Sequence, residues 1–326
     1  MKILVLGAGS IGARHASNAA ELAEVLVFDP DPRRSNSLTQ NNIQVCASLE
    51  DALAHGPDAA IVATPSETHE ELGDRMLAAG CHVLVEKPIA TDLDAAKSLL
   101  ARARTVSRKL FVAANMRFHP GPALLKKHLS KIGKVRFARA HFGQWLPGMR
   151  KQIDYRELYC AKAQGGGVIL DTIHEFDYLQ WILGPLTDVM ADSARVSDLE
   201  IEAEDYAAIN LLHQGGIRSS IQLDYLRHFK RRGCEIVGSD ASLLWQSEGH
   251  QPEHCQVLLL GPGHNERQNL FDSEDLDSND MYFAQLKAFM QTVDGHHAGN
   301  LLDAESAIQQ LQFAIKARGQ GFDKHE

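Results

Sequence analysis

Three groups of residues in this chain have the types and spacing that chemistry needs. The first is Gly7-Ala8-Gly9-Ser10-Ile11-Gly12, which follows the apolar run from Ile3 to Leu6 and opens a helical stretch. A G-x-G-x-x-G run between a strand and a helix suits a dinucleotide. Its glycines allow a tight turn, close approach to a pyrophosphate and packing of helix on sheet, and the anion rests on the helix amides. Asp29, at the end of a second apolar run, stands where a carboxylate accepts hydrogen bonds from the adenosine ribose hydroxyls, which favours NAD. Arg33 and Arg34 follow closely and offer partners to a 2′-phosphate, so NADP stays open.

The second group is Glu86-Lys87-Pro88, at the carboxyl end of another apolar run. A lysine there reaches a substrate hydroxyl and a nicotinamide ring; its ammonium lowers the pKa of that hydroxyl and stabilises a developing alkoxide. The third is Gly165-Gly166-Gly167 followed by Asp171 and His174. On one continuous helix residues three apart share a face, so the carboxylate and imidazole point at one molecule. A histidine suits general base duty toward a hydroxyl, and Asp171 holds a neighbouring hydroxyl or tunes the imidazole. A solvated Glu-Lys pair and a helix-start carboxylate beside a satisfied histidine are the competing structural readings. Asp177, six residues beyond Asp171, falls nearly opposite in helical angle and is read as structural.

The elements that must position these groups change character once along the chain. Up to about Ala114, β-branched runs at Ile3 to Leu6, Val25 to Phe28, Ala59 to Ala63, Val83 to Val85 and Leu110 to Ala113 alternate with helical stretches. That rhythm predicts βαβ units and a doubly wound parallel sheet. Thr68-x-x-Glu71 and Thr91-x-x-Asp94 are expected to cap two of the helices. After Pro120 the pattern becomes a helix near Gly121 to Lys131, then strands with two-residue alternation, as in Ile217, Ser219, Ile221, Leu223 and Tyr225 against Arg218, Gln222 and Asp224. Such alternation marks a sheet buried on one face. Helices are expected over Val168 to Leu183, Tyr282 to Val293 and Ala304 to Ala317, and Asp272 to Asp280 reads as an acidic connector. The domains are placed at 1–119 and 120–326, with the last helix free to pack back on the first.

The composition narrows the partners. The 326 residues carry a formal net charge of -9 and 44% hydrophobic residues, which argues for ordinary cores and against nucleic acid or an anionic membrane. The exception is the basic run Arg227, Lys230, Arg231, Arg232, a polyanion site or a solvated strand end. Five cysteines without a CxxC pair leave no complete disulfide framework, and a reducing, cytoplasmic setting is expected. The apolar run after Met1-Lys2 is too short for a signal-peptide core or a membrane span. No HExxH or paired Cys/His spacing supports a metal.

Taken jointly, Gly7 to Gly12, Ala63-Thr64-Pro65 with His69, Glu86-Lys87-Pro88, Asn115-x-Arg117-Phe118-x-Pro120, and Gly165 to Gly167 with Asp171 and His174 resemble the Gfo/Idh/MocA oxidoreductase family. The resemblance implies an N-terminal Rossmann domain and a C-terminal α/β domain with a mostly antiparallel open sheet that often forms the face of a homodimer or homotetramer. It implies hydride chemistry on sugars, inositols, amino sugars or nucleotide sugars. Lys87, Asp171 and His174 take the catalytic positions, and Thr64, Pro65, His69, Glu86 and Lys87 join the cofactor contacts. In the family three residues commonly separate that aspartate and histidine; here only Thr172 and Ile173 do. A one-residue deletion turns a helix by about 100°. Either the aspartate precedes the first regular turn, or His174 leaves the usual base position. The stretch from Gln144 through Tyr159 resembles members found among sugar and nonulosonic-acid biosynthesis functions. That makes Arg117, Tyr155, Arg156 and Tyr159 candidate substrate contacts, with Trp145 and Tyr155 as walls against a sugar ring; the competing reading is that the Tyr and Arg residues of this loop only order it.

The expectation is therefore an NAD(P)-dependent oxidoreductase acting on a secondary hydroxyl or ketone of a small carbohydrate-like substrate. An enzyme that uses bound NAD transiently, as a dehydratase, epimerase or hydrolase, and a dinucleotide-sensing binding protein are the alternatives.

Overall fold

The computed structural model describes residues 1–321 except 39–40, 151–152, 164, 250–251, 264–265 and 298. Two compact units emerge. One comprises Met1–Asn115 with Asn279–Ile308, the other Met116–Ser278 with Gln309 onward.

In the first unit β1 (Lys2–Leu6), α1 (Ser10–Ala20), β2 (Glu24–Phe28), α2 (Pro32–Ser35) and β3 (Ile43–Val45) form one half. The other half is α3 (Leu49–Ala54), β4 (Ala59–Val62), α4 (His69–Ala78), β5 (His82–Val85), α5 (Leu93–Thr105) and β6 (Leu110–Val112). The parallel strands run β3-β2-β1-β4-β5-β6. Residues of β1, β4 and β5 such as Ile3, Val5, Ile61 and Leu84 are fully buried, as a parallel sheet covered on both faces requires. The strand order reverses between β1 and β4, and in such sheets ligands bind outside the carboxyl ends at that reversal.

The second unit contains α6 (Pro120–His128), β7 (Phe137–Trp145), α7 (Val168–Asp171), α8 (His174–Leu183) and the strands β8 (Leu186–Ala194), β9 (Tyr206–His213) and β10 (Arg218–Asp224). Next come β11 (Leu226–Val237), β12 (Ser242–Gly249), β13 (Glu253–Leu260) and β14 (Arg267–Leu276). Its sheet runs β14-β13-β12-β11-β7-β10-β9-β8 and is antiparallel except where β10 meets β7. Helices α6 and α8 pack on it. In β10, Ser219, Ile221 and Leu223 are buried while Arg218 and Gln222 are exposed, as expected, but Asp224, expected on the wet face, is buried and pairs with Arg227.

Several expectations need correction. The second domain does not hold all of 120–326. Helix α9 (Asn279–Val293) belongs to the first unit, and β15 (Leu302–Asp303) pairs antiparallel with β6 at that sheet's edge. Asp272 to Leu276 is no connector; it completes β14, an edge strand whose charged side chains face outward. The Thr68 hydroxyl donates to the Pro65 carbonyl at 2.8 Å and lies 2.7 Å from the Thr64 hydroxyl instead of capping α4. Helix α5 is capped by Asp92, whose carboxylate accepts from the amides of Asp94 and Ala95, and not by Thr91. None of the five cysteines forms a disulfide, and all are buried. No helix among the described residues is long and apolar enough to cross a membrane.

Candidate active site

The glycine loop lies at the strand-order reversal of the first unit. Gly7 has φ +90°, and a Cβ on it would stand 2.6 Å from the Ala63 carbonyl oxygen. A Cβ on Gly12 would lie 1.9 Å from the Gly7 carbonyl oxygen, so α1 packs this close only with glycine there. A Cβ on Gly9 would meet no protein atom within 4 Å. Packing therefore places no demand for glycine at that position, and its absent side chain leaves the loop backbone open to a pyrophosphate. Gly9 caps α1 without any side-chain hydrogen bond, and the first helical bond runs from the Ala13 amide to the Gly9 carbonyl. The amides of Ser10, Ile11 and Gly12 thus have no partner within the helix and suit an anion.

Asp29 follows β2 and is 7% exposed. Its Oδ2 accepts from the Ala8 amide at 2.7 Å and its Oδ1 from the Asp31 amide at 2.8 Å. The carboxylate thus holds the glycine loop and retains lone pairs for a diol. Beside it opens a cleft of about 770 Å³ lined by Phe28, Asp29, Pro32, Ser35, Ser48 and Arg75, among others. The donor set and this cleft fit the adenosine end of a dinucleotide. Arg33 grips Asp31 through Nε and Nη2, both at 2.9 Å, and Arg34 Nε stands 3.9 Å from the same carboxylate.

Lys87 follows β5, and the residues on either side of it are anchored. Glu86 Oε1 lies 2.8 Å from Nε2 of His15, on α1, and Oε2 accepts from the Lys87 amide at 3.2 Å. Burial alone would raise the Glu86 carboxyl; the His15 hydrogen bond and the Lys87 charge bring it below the usual carboxylate range. On the other side the His69 ring, 1% exposed, spans two carbonyls, Nδ1 at 2.8 Å from Pro88 and Nε2 at 3.0 Å from Thr64. Burial pushes its pKa below the usual histidine value, so near neutrality it carries one N–H and serves one carbonyl at a time. His69 thus ties the loop after β4 to the Lys87 turn. Sequence reasoning places His69 among the cofactor contacts, while both its ring nitrogens face backbone. It overlooks His15, whose signal is a lone imidazole on the alanine-rich face of α1.

In the second unit the run from Val168 to Leu183 is two helices. Thr172, at φ -107° and ψ 35°, ends α7, and His174 begins α8. Asp171 therefore lies in a separate one-turn helix ahead of the regular one, and the shared-face argument for a continuous helix does not hold. Gly167 at φ +91° precedes α7; a Cβ there would lie 2.2 Å from the Glu204 carboxylate. The Asp171 carboxylate receives the Tyr159 hydroxyl on Oδ1, and the Tyr225 hydroxyl lies 3.1 Å from Oδ2. Tyr225 is missing from the sequence-derived site because its alternation assigns it to the apolar stripe of β10.

The other proposed substrate contacts are engaged. Arg117 is 4% exposed and bonds Asp177 through Nε and Nη2, so it serves the framework. Arg156 pairs with Asp154 and Glu200, and the Tyr155 hydroxyl accepts from the Glu200 amide. The basic run is likewise spent: Arg227 on Asp224, Lys230 near Glu253, Arg231 on Glu248 and Arg232 on Glu175. Each of these cations thus has a carboxylate partner within the second unit.

Residues 1–114 match the oxidoreductase family with the NAD-binding Rossmann fold, and residues 128–244 match the Gfo/Idh/MocA C-terminal domain. The chain belongs to the Gfo/Idh/MocA oxidoreductase family. It is 30% identical over 209 residues to a myo-inositol dehydrogenase of Streptomyces leeuwenhoekii, a match spanning 62% of each chain. It is 27% identical over 268 residues to a 1,5-anhydro-D-fructose reductase of Ensifer adhaerens, covering 79% of this chain and 76% of that one. In fold it is similar to the WlbA dehydrogenase of Bordetella pertussis, solved with NADH and UDP-GlcNAcA, with a TM-score of 0.78 at 21% identity over 98% of this chain and 94% of that one.

Proposed function

We propose that this protein is an NAD-dependent dehydrogenase acting on CH–OH groups, with a sugar, amino sugar, inositol or sugar-acid derivative as substrate. The observation that carries this reading is the Lys87 turn, held at the carboxyl end of β5 by His15 through Glu86 and by His69 through Pro88, on the sheet edge that bears the glycine loop. A bound nicotinamide would supply hydride acceptance or donation. Lys87 donates a hydrogen bond to the reacting oxygen and stabilises its negative charge. His174 or Lys87 takes or returns the hydroxyl proton, and Asp171 orients a neighbouring hydroxyl.

NAD is favoured over NADP because Asp29 presents a carboxylate where a 2′-phosphate would stand, and because Asp31 occupies Arg33. The relatives named for inositol and anhydrofructose chemistry support a polyol or sugar substrate. Five cysteines outside any disulfide fit the cytoplasmic setting, and a homodimer or homotetramer is the assembly to test by light scattering.

Calorimetry with NAD(H) and NADP(H), followed by an absorbance screen over sugars, inositols, amino sugars and sugar nucleotides, tests the reading. Substrate-dependent NADH production supports it; tight binding without net turnover moves the assignment to transient redox or sensing. Lys87→Met is expected to lower kcat/KM by about 10²–10³-fold, the cost of losing a donor to a developing oxyanion. Unchanged kcat/KM would remove Lys87 from the chemistry.

A further inference from the structure

Two phenols from separate parts of the second unit converge on one carboxylate. Tyr159 belongs to a helical turn, Tyr159–Ala161, and donates to Asp171 Oδ1. Tyr225 stands between β10 and β11 with no exposed surface; its hydroxyl lies 3.1 Å from Asp171 Oδ2 and 3.2 Å from the Gly167 carbonyl. A single phenol proton serves one acceptor at a time, and an ionised carboxylate is the stronger one. The Gly167 carbonyl already accepts from the Asp171 amide at 3.1 Å. Burial first, and then the Asp171 charge, push both phenols well above their ordinary range. Each therefore stays protonated and can act only as a donor toward Asp171.

We propose that Tyr159 and Tyr225 are positioning residues that fix the Asp171 carboxylate, one oxygen each, so that it meets the substrate as an oriented acceptor for a hydroxyl and not as the proton carrier. The proposal rests on the dehydrogenase reading, with Asp171 in its site. The carboxylate torsion is intrinsically broad, and one donor would hold only one oxygen. Donors from two elements remove that freedom. A carboxylate offers about four lone-pair sites, more than two phenols use. Tyr159 keeps 46% of its surface exposed while its hydroxyl is engaged, so its ring is accessible to a bound molecule.

A double-mutant cycle tests this with wild type, Tyr225→Phe, Asp171→Asn and the double variant, followed by steady-state kinetics on the substrate from the screen and by NAD calorimetry. Tyr225→Phe deletes one oxygen and keeps the shape. It is expected to lower kcat about tenfold or more with little change in KM and none in NAD affinity. In the Asp171→Asn background the same change is expected to cost less than about twofold, since the carboxylate it orients is gone. An equal loss in both backgrounds, or wild-type kcat in Tyr225→Phe, overturns the proposal. Should Tyr225→Phe fail to fold, Tyr159→Phe, at a half-exposed position, carries the same cycle with the same expectation. Wild-type protein without turnover on any panel member sinks the dehydrogenase reading before a variant is made, which separates that failure from a failure of the tyrosines.

Discussion

Arg117 and Asp177 form a buried ion pair: Nη2 stands 2.7 Å from Oδ1, Nε 2.9 Å from the same oxygen, and the side chains are 5% and 2% exposed. Gln310, on α10 (Ala304–Arg318), adds a hydrogen bond to Asp177 Oδ1 at 2.9 Å. Removing one member strands the other charge without solvent. Asp177→Ala is therefore expected to destabilise the fold by about 3–5 kcal/mol, while Arg117→Met with Asp177→Leu should cost much less than either single change. Urea unfolding checks this; a single-variant loss under about 1 kcal/mol would contradict the framework role.

The same pair shows where the sequence stops being informative. An arginine that binds a substrate anion and one that balances a buried aspartate are identical as letters, and only burial separates them. The glycine loop was legible because Gly7 and Gly12 answer to steric demands that no other residue meets. The parallel sheet of the first unit followed from βαβ rhythm. The return of α9 and β15 to the first sheet was not legible, since a two-residue strand at Leu302 and Asp303 carries no periodicity. The strand β14 was hidden because an edge strand tolerates charge on both faces, and Asp272 to Leu276 then reads as a loop. The break at Thr172 was legible only as one of two alternatives raised by the shortened Asp171–His174 spacing, because the residues on both sides suit a continuous helix. Tyr225 was legible as a buried residue but not as a donor, for its partner comes from a segment more than fifty positions away.

Acid is expected to weaken the fold in two steps. Burial holds His69, His119 and His213 below the usual histidine value, so the unfolded chain takes up protons that these folded sites refuse. Stability should fall as the pH drops below about 6.5, by at most about 1.4 kcal/mol per pH unit for each histidine. Glu253 lies 3.1 Å from His119 Nε2. Its burial works against ionisation, yet the His119 hydrogen bond and charge and the Lys230 charge bring its carboxyl to about 2. Its contribution is present above the ordinary carboxylate pKa and is lost as the pH falls toward 2. Denaturant midpoints at pH 7.5, 6.0 and 5.0 read the first step, and a flat series would show that these imidazoles titrate normally.

The choice of dinucleotide is expected to turn on Asp31 as well as on Asp29. Asp31 caps α2, accepting from the Arg33 amide at 3.1 Å, and it holds the Arg33 guanidinium by two 2.9 Å hydrogen bonds. Arg33 is otherwise 89% exposed, a cation tethered by one carboxylate. Asp31→Ala frees that fork for a 2′-phosphate, which guanidinium recognises bidentately, and also removes a negative charge that would repel it. Because the pair is solvent-exposed the gain is modest: NADP affinity is expected to improve about three- to tenfold relative to NAD, and more at low salt than at high salt. Calorimetry with both cofactors at two ionic strengths measures the ratio. An unchanged ratio would mean that Asp29 alone sets the preference, and Asp29→Ser would then be the variant that shifts it.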